Sequence, residues 1–257
     1  MNAKKEWFND AEFWEHYAPV IFDESRWAEV GTVADGVIAL AKLPLYNLEK
    51  KGKPPVVVDL CCGFGRITLE LARRGFIACG VDITKSYLDT AREDAAYDGL
   101  SIDFIEKDVR SFRRKKAFDA AVNLYNSFGY FEDPSDDLLF ARNAFTSLKE
   151  DGCFIIEVLG KEIAVRDYTE AEWFERAGFT VLTESAPLDS WGSIWNRWII
   201  IKDGNRMEKV FIQRLYAASE LKRLLLDAGF ARAEIYGDWD ESPYDEDARM
   251  LIAVGRK

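Results

Sequence analysis

VVVDLCCGFGR, Val56 to Arg66, is the stretch on which the reading of the whole chain turns. Three β-branched residues run into Asp59 and Leu60, a short apolar run of the kind a strand buried on both faces requires. Cys61, Cys62 and Gly63-Phe64-Gly65 follow, and then ITLELARRG has helical spacing and a closing Gly75. Glycines at such a strand-to-helix turn let the backbone bend and let a ligand come within van der Waals reach. Cys61 and Cys62 are small enough for a tight loop, and a free cysteine mostly behaves as a small hydrophobe. A reactive thiol is the alternative, because a helix N-terminus lowers a thiol pKa.

Outward from this turn the pattern repeats. FIACGVDI reads as a strand, SYLDTAREDAAYDGL as a helix, SIDFIEKDV and AFDAAVNLY as strands, SDDLLFARNAFTSLKEDG as a helix and CFIIEVLG as a fifth strand. Alternation at this spacing predicts an α/β fold, a parallel sheet with helices on both faces. All those strands then end on one rim, where ligands bind. Upstream, NDAEFWEHYAPVIFDE and SRWAEVGTVADGVIALAKLPL have helical spacing, with Asp23 or Ser25 as a cap. Downstream, GFTVLTESAP, SIWNRWIIIKDG and RMEKVFIQRLY alternate around turn residues and predict an antiparallel insertion after the fifth strand. The helix ASELKRLLLDAGF and two last strands, ARAEIYGDW and RMLIAVGRK, complete a seven-stranded, doubly wound, mostly parallel sheet. Four segments result: an N-terminal helical cap, 1–54; a core, 55–160; an antiparallel β insertion or lid, 161–216; and a completion of the core sheet, 217–257.

Bulk properties narrow the partners. The 257 residues are 48% hydrophobic and 31% charged, enough for a proper core. A net charge of −11 repels phosphate backbones, so nucleic acid is a poor partner, and the basic run Arg113–Lys116 reads as a solvated turn. Four cysteines without C-x-x-C spacing and one histidine, His16, give no expected metal site. No signal region or long apolar run is present, so a cytoplasmic protein with reduced thiols and no membrane partner is expected.

Three acids fall at consecutive strand ends: Asp59, Asp82 in VDIT and Asp108 in EKDVR. A carboxylate at the second strand end accepts both hydroxyls of a ribose. One beside a backbone amide at the third suits the amine and ring nitrogen of adenine. The chain resembles the class I S-adenosylmethionine-dependent methyltransferases of small-molecule type, which are Rossmann-like. VVVDLCCGFGR resembles their first motif, VDIT their ribose-binding acid, EKDVR their adenine motif, FDAAVNLYNSFGYF their motif after the fourth strand and RLYAASELKRLLLDAGF their late helix. The match spans Val56 to Lys257, and the first loop glycine of the family is Cys61 here. The resemblance implies S-adenosyl-L-methionine as cofactor and S-adenosyl-L-homocysteine as product. It implies cofactor contacts at Asp59, Cys61, Cys62, Gly63, Gly65, Asp82, Ile83, Asp108, Val109 and Asn123. An aromatic on an N-terminal helix is expected to cover the cofactor, with Tyr17, Arg26 and Trp27 as candidates. Arg26 either pairs with the methionine carboxylate or is a surface arginine.

The implied reaction moves a methyl group to oxygen or nitrogen of a small molecule, with no catalytic residue assigned. Alternatives are a nucleic-acid (RNA) methyltransferase, disfavoured because NLYN after the fourth strand lacks the Asn/Asp-Pro-Pro-aromatic signature, and a non-catalytic cofactor-binding protein. A nicotinamide dehydrogenase is disfavoured because Thr68 stands where a third loop glycine is needed. Alternation in WGSIWNRW puts Trp191, Trp195 and Arg197 on one face of the insertion and Asn196 and Trp198 on the other. Such tryptophans pack, line a pocket or meet a second copy, which leaves a homodimer open. The acidic loop GDWDESPYDED is a solvated turn or, with Tyr244 and Asp245 facing the acceptor, a selector of amines.

Overall fold

The structure is a computed structural model that describes residues 6–44 and 53–257. At the N-terminus, Asp10 caps α1 (Ala11–Ile21) by accepting from the Phe13 amide. Asp23 caps α2 (Glu24–Ala28) by accepting from the Arg26 amide, and α3 (Val30–Leu40) follows. The second expected helix is therefore two, separated at Glu29. Gly52, the first residue of GKPP, lies outside the described residues.

The glycine turn stands as expected between β1 (Val56–Leu60) and α4 (Arg66–Arg73). Then come β2 (Ile77–Asp82), α5 (Lys85–Tyr97), β3 (Asp103–Glu106), β4 (Phe118–Asn123), α6 (Pro134–Ser147) and β5 (Leu148–Val158). After the insertion, α8 (Ala218–Ala228) ends at Gly229, whose φ of 117° needs a residue without Cβ, and β10 (Arg232–Tyr236) and β11 (Leu251–Arg256) close the chain. The sheet order is β10-β11-β5-β4-β1-β2-β3. β11 runs antiparallel to both β5 and β10, so it alone opposes the other six strands. That matches the mostly parallel, seven-stranded Rossmann-like sheet read from the sequence. Two apolar layers cover its faces. Val33, Val37, Ile67 and Leu71 from α3 and α4 pack on one, and Phe140, Ala141, Leu221 and Leu225 from α6 and α8 on the other.

The insertion is a separate sheet, entered through α7 (Lys161–Arg166) and ordered β6-β7-β8-β9. β7 (Phe179–Leu188), β8 (Ser193–Lys202) and β9 (Asn205–Arg214) are the three expected strands. At the KDGN turn Asp203 and Gly204 both have positive φ, as a two-residue hairpin requires. The fourth strand, β6 (Ala171–Arg176), escaped the sequence reading because its residues are mostly exposed and charged. This sheet packs on α1, where Phe13, Tyr17 and Val20 meet Val181 and Ile200.

The N-terminal cap touches the far end of the core as well. A Cβ on Gly36 of α3 would lie 2.7 Å from Cβ and Cε3 of Trp239, in the loop between β10 and β11. Gly36→Ala should therefore cost about 1–3 kcal/mol through overpacking, a fall in Tm of a few degrees. Calorimetric melting of the two proteins checks this, and an unchanged Tm means α3 and Trp239 are not in contact.

Candidate active site

The rim of the parallel strands carries the site. Cys61 takes φ of 65° and Gly63 of 54°, so a cysteine holds a left-handed conformation that ordinarily favours glycine. The amides of Cys61 and Cys62 both donate to the Val81 carbonyl, at 2.8 and 3.0 Å. Asp82 completes the turn. Its Oδ2 accepts from the Gly63 amide and its Oδ1 from the Thr84 amide, each at 2.8 Å. Burial pushes the Asp82 carboxyl above its usual range, against those donors. Burial and then the Asp82 and Asp59 carboxylates push the Cys61 thiol up; burial and the same acids do so for Cys62. That environment disfavours a thiolate and favours the reading of both cysteines as small packing residues. Gly65 heads α4, where a Cβ would meet Phe104 at 2.9 Å.

Two cavities open from this turn. The first, about 690 Å³ with part open to solvent, is bounded by Cys61, Gly63, Asp82, Ile83, Asp108 and Val109, and roofed by Trp14, Tyr130 and Phe131. Its lining carries the Asp82 and Asp108 carboxylates with the apolar Ile83 and Val109. The Thr84 side chain and the Ile83 amide also act on Asp82, and carboxylate acceptors beside apolar surface fit the hydroxyls and base of an adenosine. Burial alone would raise the Asp108 carboxyl, but the Arg110 side chain and amide outweigh it and hold it below the usual range. Arg110 donates to Asp108 at 2.6 Å, to Glu6 at 2.6 Å and to Asp136 at 3.1 Å, with its guanidinium 4.5 Å from the Phe131 ring centre. EKDVR thus contributes an arginine, missed in the sequence reading, that ties the N-terminal segment to this cavity.

The second cavity, about 2120 Å³ and also partly open, lies under the β6–β9 sheet. It shares Trp14, Phe22, Cys61, Gly63, Ser127 and Tyr130 with the first, so the two lie side by side at the glycine turn. Asn196 and Trp198 face it from β8, and Arg197 on the opposite face pairs with Glu184 and Glu208. This is the alternation expected, except that Trp191 sits in the 3-10 turn before β8 and packs on Tyr168. The floor is the segment after β4. Tyr125 and Asn126 are consecutive non-glycine residues at φ of 56° and 60°. Such strain persists only where surroundings over-determine it. Here Glu157 at the end of β5 accepts from both: its Oε2 from the Tyr125 amide at 2.7 Å and its carbonyl from the Asn126 amide at 3.2 Å.

Several expected residues stand elsewhere. Tyr17 is fully buried between α1 and the lid and donates to the Trp198 carbonyl at 2.8 Å, so it borders neither cavity. Trp14, one turn earlier, takes the covering place. Asn123 is also fully buried and donates to the Leu60 carbonyl at 2.7 Å, bracing the end of β1 from within the sheet. Arg26 lines the second cavity, but its guanidinium pairs with Glu29 on the surface and Trp27 lies outside both cavities. His16 is exposed, with Nδ1 at the Glu12 carbonyl. Tyr244 donates to Glu162 at 3.0 Å and Asp245 accepts from the Asp247 amide, so neither faces the cavity; Arg249 and Met250 from the same loop do. The residue sequence reasoning passed over is Arg66. It is 4% exposed, lines the second cavity, donates to the Arg26 carbonyl and lies 4.1 Å over the Tyr125 ring.

Asp59 is buried under the turn and accepts from the Thr68 hydroxyl at 2.7 Å. Burial pushes its carboxyl up to about 6, against the Thr68 bond. A raised folded-state value means stability is fully present below the unfolded value near 4 and is lost as pH rises through about 6. The loss is about 3 kcal/mol at most for a shift of this size. Asp59→Asn keeps an acceptor for Thr68 and should flatten the Tm–pH curve between pH 4 and 7. Parallel curves for the two proteins would show that Asp59 does not titrate there.

Known proteins share this arrangement. Residues 57–152 match the methyltransferase domain family. A putative methyltransferase of Geobacillus is 25% identical over 211 residues, covering 77% of this chain and 83% of its own. A carboxy-S-adenosyl-L-methionine synthase of Wolinella succinogenes is 29% identical over 233 residues, 89% of each chain. In fold, an S-adenosylmethionine-dependent methyltransferase of Clostridium acetobutylicum superposes with a TM-score of 0.74 at 16% identity, over 95% of this chain and 97% of its own. The glycine turn, the strand-end acids and the sheet order, with the methyltransferase domain matched over residues 57–152, are the arrangement found in class I S-adenosylmethionine-dependent methyltransferases.

Proposed function

We propose that the protein transfers a methyl group from S-adenosylmethionine to a small molecule held under the β6–β9 sheet. The observation that carries this is the adjacency of the two cavities, which share Cys61, Gly63, Ser127 and Tyr130 as walls. One cavity has carboxylate acceptors for the donors of an adenosine, and the other has mixed aromatic and polar walls under the β6–β9 sheet. S-adenosylmethionine supplies a methyl group on a sulfonium, a good leaving group, so the protein's task is mostly positioning and water exclusion. Asp82 takes the ribose hydroxyls, Asp108 faces the adenine end, and Ile83 and Val109 hold the base between apolar surfaces. Arg66, whose guanidinium meets a carbonyl and an aromatic ring and no carboxylate among the described residues, takes the methionine carboxylate. This reassigns to Arg66 the part expected of Arg26. A lid over a bounded cavity supports a small acceptor better than a nucleic acid, as the net charge of −11 also does.

Incubation with S-adenosylmethionine and a panel of small amines, alcohols, phenols and acids should yield S-adenosylhomocysteine and a methylated product in the mass spectrum. Cofactor binding without product across the panel would support a non-catalytic binding protein. A carboxylated S-adenosylmethionine, the product named for the Wolinella relative, would replace methyl transfer as the activity. Asp82→Ala removes two charge-assisted bonds of about 1.5–3 kcal/mol each. Its affinity for S-adenosylhomocysteine should fall about ten-fold or more in calorimetry, with the fold retained. Arg66→Met should weaken the same affinity and leave that for adenosine, which lacks the carboxylate, unchanged. An equal loss for both ligands would remove Arg66 from the methionine end.

A further inference from the structure

Of the two glutamates that line the second cavity, Glu172 is exposed on β6 and Glu157 is the more buried, and the cofactor reading leaves Glu157 without a task. It stands at the carboxyl end of β5, beside the strained Tyr125-Asn126 turn, and lines the second cavity. Its Oε2 is used by the Tyr125 amide; its Oε1 has no protein partner among the described residues. No cation lies within ion-pair distance of it among those residues either, although the cavity is rich in arginine. Arg26, Arg176 and Arg249 are matched by Glu29, Asp23 and Asp238, and Arg66 sits over Tyr125 on the β1 side. Arg66 and Glu157 thus line one cavity, and neither has an ion-pair partner among the described residues. The same cavity is lined by Trp198, Phe211 and Phe174 from the β6–β9 sheet and by the amides Asn126, Asn196 and Gln213.

We infer that the acceptor is an amine with an apolar or aromatic body, and that Glu157 binds its ammonium form and takes the proton before transfer. This rests on the methyl-transfer reading. The N–H proton passes to the Glu157 carboxylate, and the freed nitrogen lone pair forms the N–C bond to the methyl carbon. The C–S bond breaks with its electron pair left on sulfur, and Glu157 then returns the proton to solvent. Burial raises the Glu157 carboxyl above its ordinary range, against the Tyr125 amide and the more distant Arg26 and Arg66. That brings it closer to working pH, as a general base requires. The charged and titratable groups around that cavity are Arg26 and Glu29 at α2, Asp59 of β1, Arg66 of α4, the Tyr125 phenol after β4, Glu172 and Arg176 of β6 and Arg249 ahead of β11.

The test uses three probes of one size, 2-phenylethylamine, 2-phenylethanol and phenylacetate, on protein saturated with S-adenosylhomocysteine. Calorimetry should show the amine binding at least about ten-fold more tightly than the other two, as a charge-assisted bond gives. Glu157→Gln, which keeps an acceptor for the Tyr125 amide, should erase that preference without changing Tm or S-adenosylhomocysteine affinity. With S-adenosylmethionine, kcat/KM for the amine should fall about 100-fold in Glu157→Gln, and the acid limb of its pH profile should disappear. A residue that only braced the turn would move neither the preference nor the limb. Equal binding of the three probes, a preference for phenylacetate, or an amine preference that survives in Glu157→Gln overturns the assignment. None of those results touches methyl transfer itself, which the product screen of the wild-type protein judges.

Discussion

The Asp82 carboxylate is the interaction on which the site is built. Its two oxygens take amides from two different segments, Gly63 in the turn after β1 and Thr84 at the start of α5. A buried carboxylate is expensive unless it is hydrogen-bonded, and these two donors offset part of that cost. In return the carboxylate fixes the glycine turn against the end of β2, with Cys61 and Cys62 anchored to Val81 alongside. The Thr84 side chain and the Ile83 amide add to these bonds. One group thus makes the turn rigid and also lines the first cavity. That is how a binding site is preorganised without a separate scaffold.

The roof depends on the same economy of buried polar groups. Tyr17 crosses from α1 to the lid carbonyls, and burial raises its phenol, so it stays a neutral donor. At the lid's exit, Asp137 of α6 is fully buried and accepts from Arg214 and from the Tyr216 hydroxyl, 2.8 Å away. Arg214 also lends its amide to the Gly129 carbonyl. The lid is therefore tied to the N-terminal cap on one side and to the segment carrying Tyr130 on the other. The Tyr17 tie is a buried neutral hydrogen bond, worth about 0.5–1.5 kcal/mol, whereas removing one partner of the Asp137–Arg214 pair costs about 3–5 kcal/mol. The β6–β9 sheet is thereby fixed over the second cavity.

How far the sequence revealed this follows from which physical signals are local. Sheet, strand-end acids and the lid's inner and outer faces follow from periodicity and from the position of a residue at a strand end, so they were legible. Tyr17 against Trp14 was not. Both are aromatics on one helix, and the choice depends on how α1 is rotated against a sheet far away in the chain. Asn123 was taken for a ligand contact because polar residues at strand ends usually face the rim; here its amide turns inward to Leu60. Arg66 ends the glycine-turn stretch and drew no role from its sequence position. Only the arrival of Tyr125, Phe22 and Trp27 around it shows a buried guanidinium. β6 was missed because a sheet edge facing solvent needs no apolar alternation.

The cysteine pair and the strained tyrosine turn are then two solutions to one geometric demand. Both follow parallel strands on the rim, and both need left-handed backbone so that a short segment can double back beside a ligand. After β1 the demand falls on Cys61 and two glycines, and the amides bonded to Val81 hold it. After β4 there is no glycine at the bend, so Tyr125 and Asn126 take the conformation and Glu157 holds it with two bonds. The strained turn holds the Tyr125 ring 4.1 Å under the Arg66 guanidinium, while Glu157 fixes the backbone from β5. Tyr125→Gly would relax the turn and remove that ring; Asn126→Gly would relax it and leave the ring in place. The costly conformation thus sits where an aromatic ring is carried, and the permissive glycines where only the path of the chain matters.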